Sequence, residues 1–259
     1  MASALAVSVS AAHAGVVLQI STQDLSVANS KPAVAIAYAQ DGKLRIERGE
    51  NSRFVSIQTR QAAIDIDTST HSYHMRDQDE LTRLGAEQKA LQEKSAAERA
   101  APPANGSSDL ATMLDRVNSS TEENLALQKQ TPDFRATDRH DAVDGHSCAI
   151  WEYYWKDKKE EEFCIVSPKL IPGGAEWIAA LRSVGDFYDN ACQWLGDPGR
   201  LLLAPMRAQA EAPSRLGGIP FLTRTFREGA VASESRVTTV RVEPLDPVLF
   251  EVPKDYVRN

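Results

Sequence analysis

Short apolar runs separated by turn residues fill residues 16–76, and their spacing predicts an antiparallel β-sheet. Isoleucine alternates with aspartate over residues 64–67, which is the period-2 pattern of a strand with one buried face. Asp41 and Gly42 separate two apolar runs, and this dipeptide favours a two-residue hairpin turn. The pattern therefore predicts a meander whose second face meets water or helices.

From about residue 77 the apolar period changes to that of a helix. Leucines recur at helical spacing between residues 81 and 94, and Glu, Gln, Lys and Ala fill the intervening positions. A linker at residues 100–108 precedes a second apolar stripe over residues 110–130. We expect residues 77–130 to form a helical insertion, which either has its own role or is a plain surface hairpin.

The chain returns to strands from Phe134 onward. Two hairpins are predicted, one over residues 149–166 and a longer one over residues 221–242. Between them, residues 176–195 have the clearest helical periodicity in the chain. About ten strands and three helices predict a single α+β domain, in which a strongly curved antiparallel sheet wraps a helix.

The first 14 residues are small and apolar, and they carry no charged side chain. An A-x-A signal-peptidase site at residues 12–14 places the first mature residue at Gly15. The alternative is a disordered Ala-rich tail. We expect a periplasmic or secreted protein with one domain over residues 15–259, because no later stretch is long and apolar enough to span a bilayer.

Composition narrows the class of partner. The chain is 42% hydrophobic and 25% charged, which is ordinary for a soluble globular protein. Its net charge of −7 comes with no basic stripe, so nucleic acid is excluded as a partner. We expect a monomer.

Three cysteines bear on the compartment. Cys148 and Cys164 flank the first predicted C-terminal hairpin and are able to form a disulfide in an oxidising environment. The alternatives are two unpaired strand thiols, or a disulfide in which Cys192 takes one of the two places.

Metal-competent side chains occur in two places. His71 and His74 are three apart on a strand, so they point to opposite faces and do not share a metal ion. A denser group lies on a strand end and a turn: Asp138, His140, Asp141, Asp144, His146 and Cys148. Asp is common in turns for backbone reasons, so this group is either a solvated turn or a metal site. The sequence contains no phosphate-binding or nucleophile-elbow motif. We expect no cofactor and no enzymatic activity.

Four segments resemble the signatures of a family of small exported bacterial proteins of unknown function. They are residues 41–47, residues 64–73, residues 143–148 and residues 245–256. That family resembles the LolA/LolB/LppX lipoprotein-localisation superfamily. The resemblance implies a half-barrel sheet that wraps over helices and can hold acyl chains.

The aromatic residues Trp151, Tyr153 and Trp155 share one face of a predicted strand. They are suited either to contact a lipid or to pack against the helix that carries Trp177, Tyr188 and Trp194.

We therefore predict an envelope protein that binds a lipid or other apolar ligand in the concave face of its sheet. The residues expected to line the cavity are Ile46, Phe54, Ile57, Ile66, Trp151, Tyr153 and Trp177. The alternatives are an envelope protein-interaction or structural factor with a filled core, and a metal-dependent enzyme.

Overall fold

The computed structural model describes residues 14–100, 133–155, 157–196 and 215–259, together with residues 203, 206, 207, 210 and 212. The strands are β1 Ala14–Asp24, β2 Ala33–Gln40, β3 Lys43–Arg48, β4 Phe54–Gln58, β5 Ala63–Asp67, β6 Ser72–Arg76, β7 Asp133–Val143, β8 His146–Trp155, β9 Lys158–Val166, β10 Ile219–Arg227, β11 Ala230–Pro244 and β12 Val257–Arg258. The α-helices with defined bounds are α1 Gln78–Ala100 and α2 Gly174–Trp194, and short 3-10 helices span Glu50–Ser52, Pro168–Leu170 and Pro247–Phe250. The predicted signal peptide and the second insertion helix lie outside the described residues, apart from Ala14.

All twelve described strands belong to one sheet, in the order β12-β6-β5-β4-β3-β2-β1-β11-β10-β9-β8-β7. Strands β1 to β6 form one antiparallel meander, and β7 to β11 form another. The antiparallel pair of β1 and β11 joins the two, and only β12 pairs in parallel among these strands. The prediction of an α+β fold with an antiparallel sheet and a helix against it is confirmed, and the two outer strands do not pair to close the described sheet.

Helix α2 packs on one face of the N-terminal meander. Its buried residues Trp177, Ile178, Ala180 and Val184 share one cluster with apolar residues of β1, β2 and β3, which we call the helix core. Its buried residues on β1 to β3 are Val16, Leu18, Ala37, Ala39 and Leu44, and the same cluster extends across β8 to β11, where it includes Cys148, Cys164 and Phe221. The periodicity of residues 176–195 predicted this helix because its apolar stripe repeats every three to four residues.

The opposite face of the same meander is covered by the chain's own C-terminal segment. Ile57 and Ile66 pack there against Leu245 and Phe250, with Tyr256 at the edge. Alternation at residues 64–67 predicted that Ile64 and Ile66 are buried, and both are. It did not predict that residues 245–256, which include a short 3-10 helix at Pro247–Phe250, cover them.

Helix α1 begins after Asp77, whose carboxylate accepts a hydrogen bond from the Glu80 amide at 3.0 Å. Leu81 is buried with Phe187 and Ala191 of α2 and with Ala63 of β5, so α1 packs where α2 meets the end of the meander. Within the described residues, no helix is long and apolar enough to cross a membrane.

Candidate functional site

The seven residues predicted to line one cavity lie in separate parts of the structure. Ile46 and Trp177 belong to the helix core, and Ile57 and Ile66 contact the C-terminal segment. Trp151 and Tyr153 lie in a third cluster, and the side chain of Phe54 is exposed. Register explains the separation on β3 and β4: Ile46 lies opposite Ser56, so the neighbouring Ile57 points to the other face. The structure therefore does not bring these seven residues together in one wall, and ligand binding by them remains a prediction.

The aromatic strip of β8 shares one face, as the alternation predicted, but it does not pack against the helix residues that we expected. Trp151, Tyr153 and Trp155 pack with Phe134 and Phe163, and the described residues that cover them are Ala212 and Leu216. The ring centroids of Phe134 and Tyr153 are 5.1 Å apart. Trp177, Tyr188 and Trp194 pack elsewhere, in the helix core and the contact between α1 and α2.

The predicted disulfide between Cys148 and Cys164 is confirmed, and the alternatives that left these thiols unpaired or brought in Cys192 are wrong. The bond joins the neighbouring strands β8 and β9, and both cysteines are buried in the helix core. Cys192 is buried on α2.

The predicted metal-competent residues have other contacts. The ring of His71 lies 5.1 Å from that of Tyr256, and the ring of His146 lies 5.0 Å from that of Phe221. Cys148 is used in the disulfide. Among the described residues, no three His, Cys, Asp or Glu side chains are arranged to hold a metal ion.

A network of charged side chains, which the sequence analysis missed, ties β7 to β11. Its centre is Glu162, which is 5% exposed. The Glu162 carboxylate accepts hydrogen bonds from Arg139 at 2.6 Å, from Lys159 at 2.7 Å and from Arg224 at 3.0 Å. Glu152 accepts from Arg139 and Lys159, both at 2.8 Å.

Electrostatics in this network fix Glu162 in its charged form. Burial alone would raise the pKa of Glu162, but the hydrogen bonds from Lys159, Arg139 and Arg224 outweigh burial and lower the pKa to about 2. Burial also opposes the charge of Lys159, and its hydrogen bonds to Glu152 and Glu162 raise its pKa nonetheless. A carboxylate held by three cations is a structural tie between strands, and it has no role as a proton carrier near neutral pH.

The network was missed because its members are far apart in sequence and meet only through strand register. Glu162 is opposite both Glu152 on β8 and Arg224 on β10, and Arg224 is opposite Glu234 on β11. In the sequence, Glu162 is the last of three consecutive glutamates near the start of a predicted strand, and no local pattern distinguishes the buried glutamate from the other two.

A cleft of about 230 Å³ opens between the turn that joins β7 to β8 and strand β11. Phe221, Val237 and Val240 supply its apolar surface, and Asp144, His146 and Thr238 supply polar groups. The cleft includes two members of the predicted metal cluster, Asp144 and His146, but presents them beside apolar residues and threonines.

Comparisons with known proteins assign no family. No family model matches the chain, and no curated protein matches it. Among solved structures, an uncharacterised conserved protein from Thermus thermophilus aligns with a TM-score of 0.46 and 9% identity over 96% of this chain and 91% of that one. MucB in complex with MucA(peri) aligns with a TM-score of 0.36 and 9% identity over 94% of this chain and 56% of that one. PNGF-II aligns with a TM-score of 0.40 and 9% identity over 95% of this chain and 31% of that one. This chain thus spans little more than half of the MucB chain and about a third of the PNGF-II chain, and likenesses of this size assign it no function.

Proposed function

We propose that this chain is a non-enzymatic, extracytoplasmic binding protein that recognises a protein partner through its outer surface. The observation that carries the proposal is the filled helix core. Trp177, Ile178 and Val184 of α2 occupy the apolar face of the sheet that a ligand would need.

The energetics of this packing favour a binding site on the protein surface over one in its interior. An acyl chain that replaced α2 against the sheet would restore burial to the strands but leave the apolar face of α2 exposed. Each large apolar side chain that loses burial costs about 1.5–3 kcal/mol. Ile178 and Val184 alone therefore oppose entry by several kcal/mol, before the cost of moving the helix.

The buried disulfide supports an extracytoplasmic location. Disulfides persist in secreted and periplasmic proteins and are rare where thiols are kept reduced. Cys148 and Cys164 lie on adjacent strands inside the core, where the bond supports the hairpin of β8 and β9.

The state of Glu162 supports a non-enzymatic role for the charged network. Catalytic acids and bases need a pKa near the working pH and a free position beside the substrate. Glu162 has a pKa of about 2, and its two carboxylate oxygens are engaged by three cations. The most strongly perturbed carboxylate of the described chain is thus used to hold strands together.

A fluorescent fatty acid tests the interior of the protein. The delipidated chain is titrated with a dansylated undecanoic acid, and we expect no saturable rise in fluorescence because α2 fills the space. Saturable binding that Trp177→Ala weakens, in protein that retains its circular dichroism, would assign the interior to a lipid and overturn the proposal. Phe54→Ala is the matched control, because the Phe54 side chain is exposed and lies outside the helix core.

Photo-crosslinking tests the surface. A photoreactive phenylalanine is placed at one exposed position at a time, Ser69, Lys158 or Thr238, in cells that export the chain. We expect a discrete polypeptide adduct from some of these positions and none from the others. Lipid adducts, or no adduct at any position, would contradict recognition of a protein partner.

A further inference from the structure

The cleft beside β11 is shaped by two local features of the backbone. Asp144 has a φ of 48° and precedes Gly145, so the turn between β7 and β8 follows the left-handed conformation of a tight hairpin. On β11, Gln19 is opposite Thr239 and Ile20 is opposite Val237, which leaves Thr238 as the extra residue of a bulge. Bulges redirect side chains and are common beside binding sites.

The size of the cleft indicates what kind of group it can hold. Pockets for small-molecule ligands are usually about 300–1,000 Å³. A volume of about 230 Å³ lies below that range and matches a single side chain better than a cofactor or an acyl chain. Protein interfaces commonly depend on a few such anchor side chains seated in pockets.

The chemistry of the cleft lining indicates which kind of side chain the cleft can hold. Val240 is partly exposed and supplies apolar surface for a stem, and the buried Phe221 and Val237 form the floor beneath it. Asp144 adds an exposed carboxylate, and no hydrogen bond or ion pair within the described residues neutralises it. Arginine and lysine combine an apolar stem with a cationic head and therefore match both parts of the cleft.

The charges near the cleft also favour a basic side chain. Asp138 and Asp141 lie on β7 close to Asp144 in sequence, and the whole chain has a net charge of −7. Opposite charge steers a basic partner towards such a surface and holds its cationic group there.

We infer that this cleft is the anchor site for a basic side chain of a partner polypeptide, an inference that rests on the proposed function. The stem of the arginine or lysine lies along Val240, above a floor formed by Phe221 and Val237, and its head pairs with Asp144. Thr238 forms the exposed rim.

Methyl NMR of the full chain tests the site with defined probes. The probes are a blocked Gly-Ser-Arg-Ser-Gly peptide, the same peptide with norleucine in place of arginine, and free agmatine. We expect saturable shifts of the Val237, Thr238 and Val240 methyl groups with the arginine peptide, and binding about tenfold weaker with the norleucine peptide. Agmatine is expected to bind more weakly than the arginine peptide, since it lacks the backbone of a polypeptide.

Asp144→Asn removes the charge while keeping the turn, because Asn also tolerates a positive φ. It should weaken binding of the arginine peptide about tenfold. Asp41→Asn is a closely matched control: Asp41 has a φ of 51°, precedes Gly42 in the same kind of turn, and lies outside the cleft. Thr238→Trp, at an exposed position, should block binding by filling the cleft.

Three outcomes would overturn the inference: no saturable shift, equal affinity for the arginine and norleucine peptides, or equal loss in Asp144→Asn and Asp41→Asn. Agmatine binding as tightly as the arginine peptide would reassign the cleft to small free amines. These failures differ from failure of the proposed function, which is saturable binding of the fatty acid in the interior, or photo-crosslinking that gives lipid adducts or none.

Discussion

At the scale of single residues, Glu162 shows how a charge is kept inside a sheet. Burying an isolated carboxylate is very costly, and pairing with hydrogen-bonded cations is the usual solution. Arg139, Lys159 and Arg224 reach Glu162 from β7, β9 and β10. One side chain thereby couples three strands that are distant in sequence.

Glu162→Gln should lower the free energy of unfolding by about 2–4 kcal/mol, because Lys159 and Arg224 then remain partly buried without their shared anion. Urea denaturation measures the change. Glu160→Gln removes the same charge from the same strand, and Glu160 takes no part in the network, so it should change stability by less than about 0.5 kcal/mol. Equal effects of the two substitutions would contradict the role given to Glu162.

Acid stability should depend on Glu162. Its pKa in the folded protein is about 2, below the ordinary value of 4.5, so its contribution is complete above pH 4.5 and is lost as the pH falls towards 2. In Glu162→Gln, unfolding free energy should therefore fall less steeply across this window than in the wild type. Urea titrations at several pH values provide the two slopes, and parallel slopes would contradict this assignment.

At the scale of elements, Gly173 determines how α2 meets the sheet. It has a φ of 69° at the start of the helix, and a Cβ at this position would overlap the side chain of Val16 on β1. Val16 is fully buried, so it has no room to move aside. Only glycine permits both the left-handed backbone and this close approach.

Gly173→Ala should lower the free energy of unfolding by about 3 kcal/mol, the combined effect of left-handed strain and core overpacking. Gly196→Ala separates the two causes. Gly196 has a φ of 70°, and an added Cβ would meet nothing within 4 Å, so only the strain of about 1 kcal/mol applies. Thermal or urea unfolding of both variants measures the difference. Equal losses of unfolding free energy would mean that the contact with Val16 makes no steric contribution.

The hairpin of β8 and β9 is also constrained by its disulfide. Cys148 and Cys164 are 16 residues apart, and closing a loop of that length in the unfolded chain is worth about 3 kcal/mol. Replacing both cysteines with alanine should reduce stability by that order, as measured by urea unfolding. A loss below about 0.5 kcal/mol would show that the bond adds little to the hydrogen-bonded ladder.

At the scale of the whole molecule, both faces of the N-terminal meander are covered by later parts of the chain. Helix α2 covers one face, and residues 245–256 cover the other. Phe250 lies at the centre of the second contact and is 6% exposed. The two ends of the chain therefore stabilise each other through contacts of very long sequence separation.

Phe250→Ala should lower the free energy of unfolding by about 3–5 kcal/mol, the usual effect of truncating a buried Phe. Phe54→Ala makes the same chemical change at a side chain that is 51% exposed and should cost no more than about 1 kcal/mol. Calorimetry or urea unfolding compares them. Similar losses would mean that the C-terminal segment does not protect this face.

The sequence by itself determined most of the elements and the class of the fold. Periods of two and of three to four residues reveal which faces are apolar, and local turn chemistry marks ends such as Asp41-Gly42, so β2 to β5 and α2 were all predictable. The pairing of Cys148 with Cys164 was predictable because the two residues flank one hairpin.

Only the tertiary structure decided what each apolar face contacts and which charges meet. Ile46 and Ile57 were expected in one wall but lie on opposite faces, because Ile46 pairs with Ser56 and the next side chain, Ile57, points the other way. Glu162 and the cleft at Asp144 join residues from several strands, and strand register is set by packing of the whole sheet and not by local pattern.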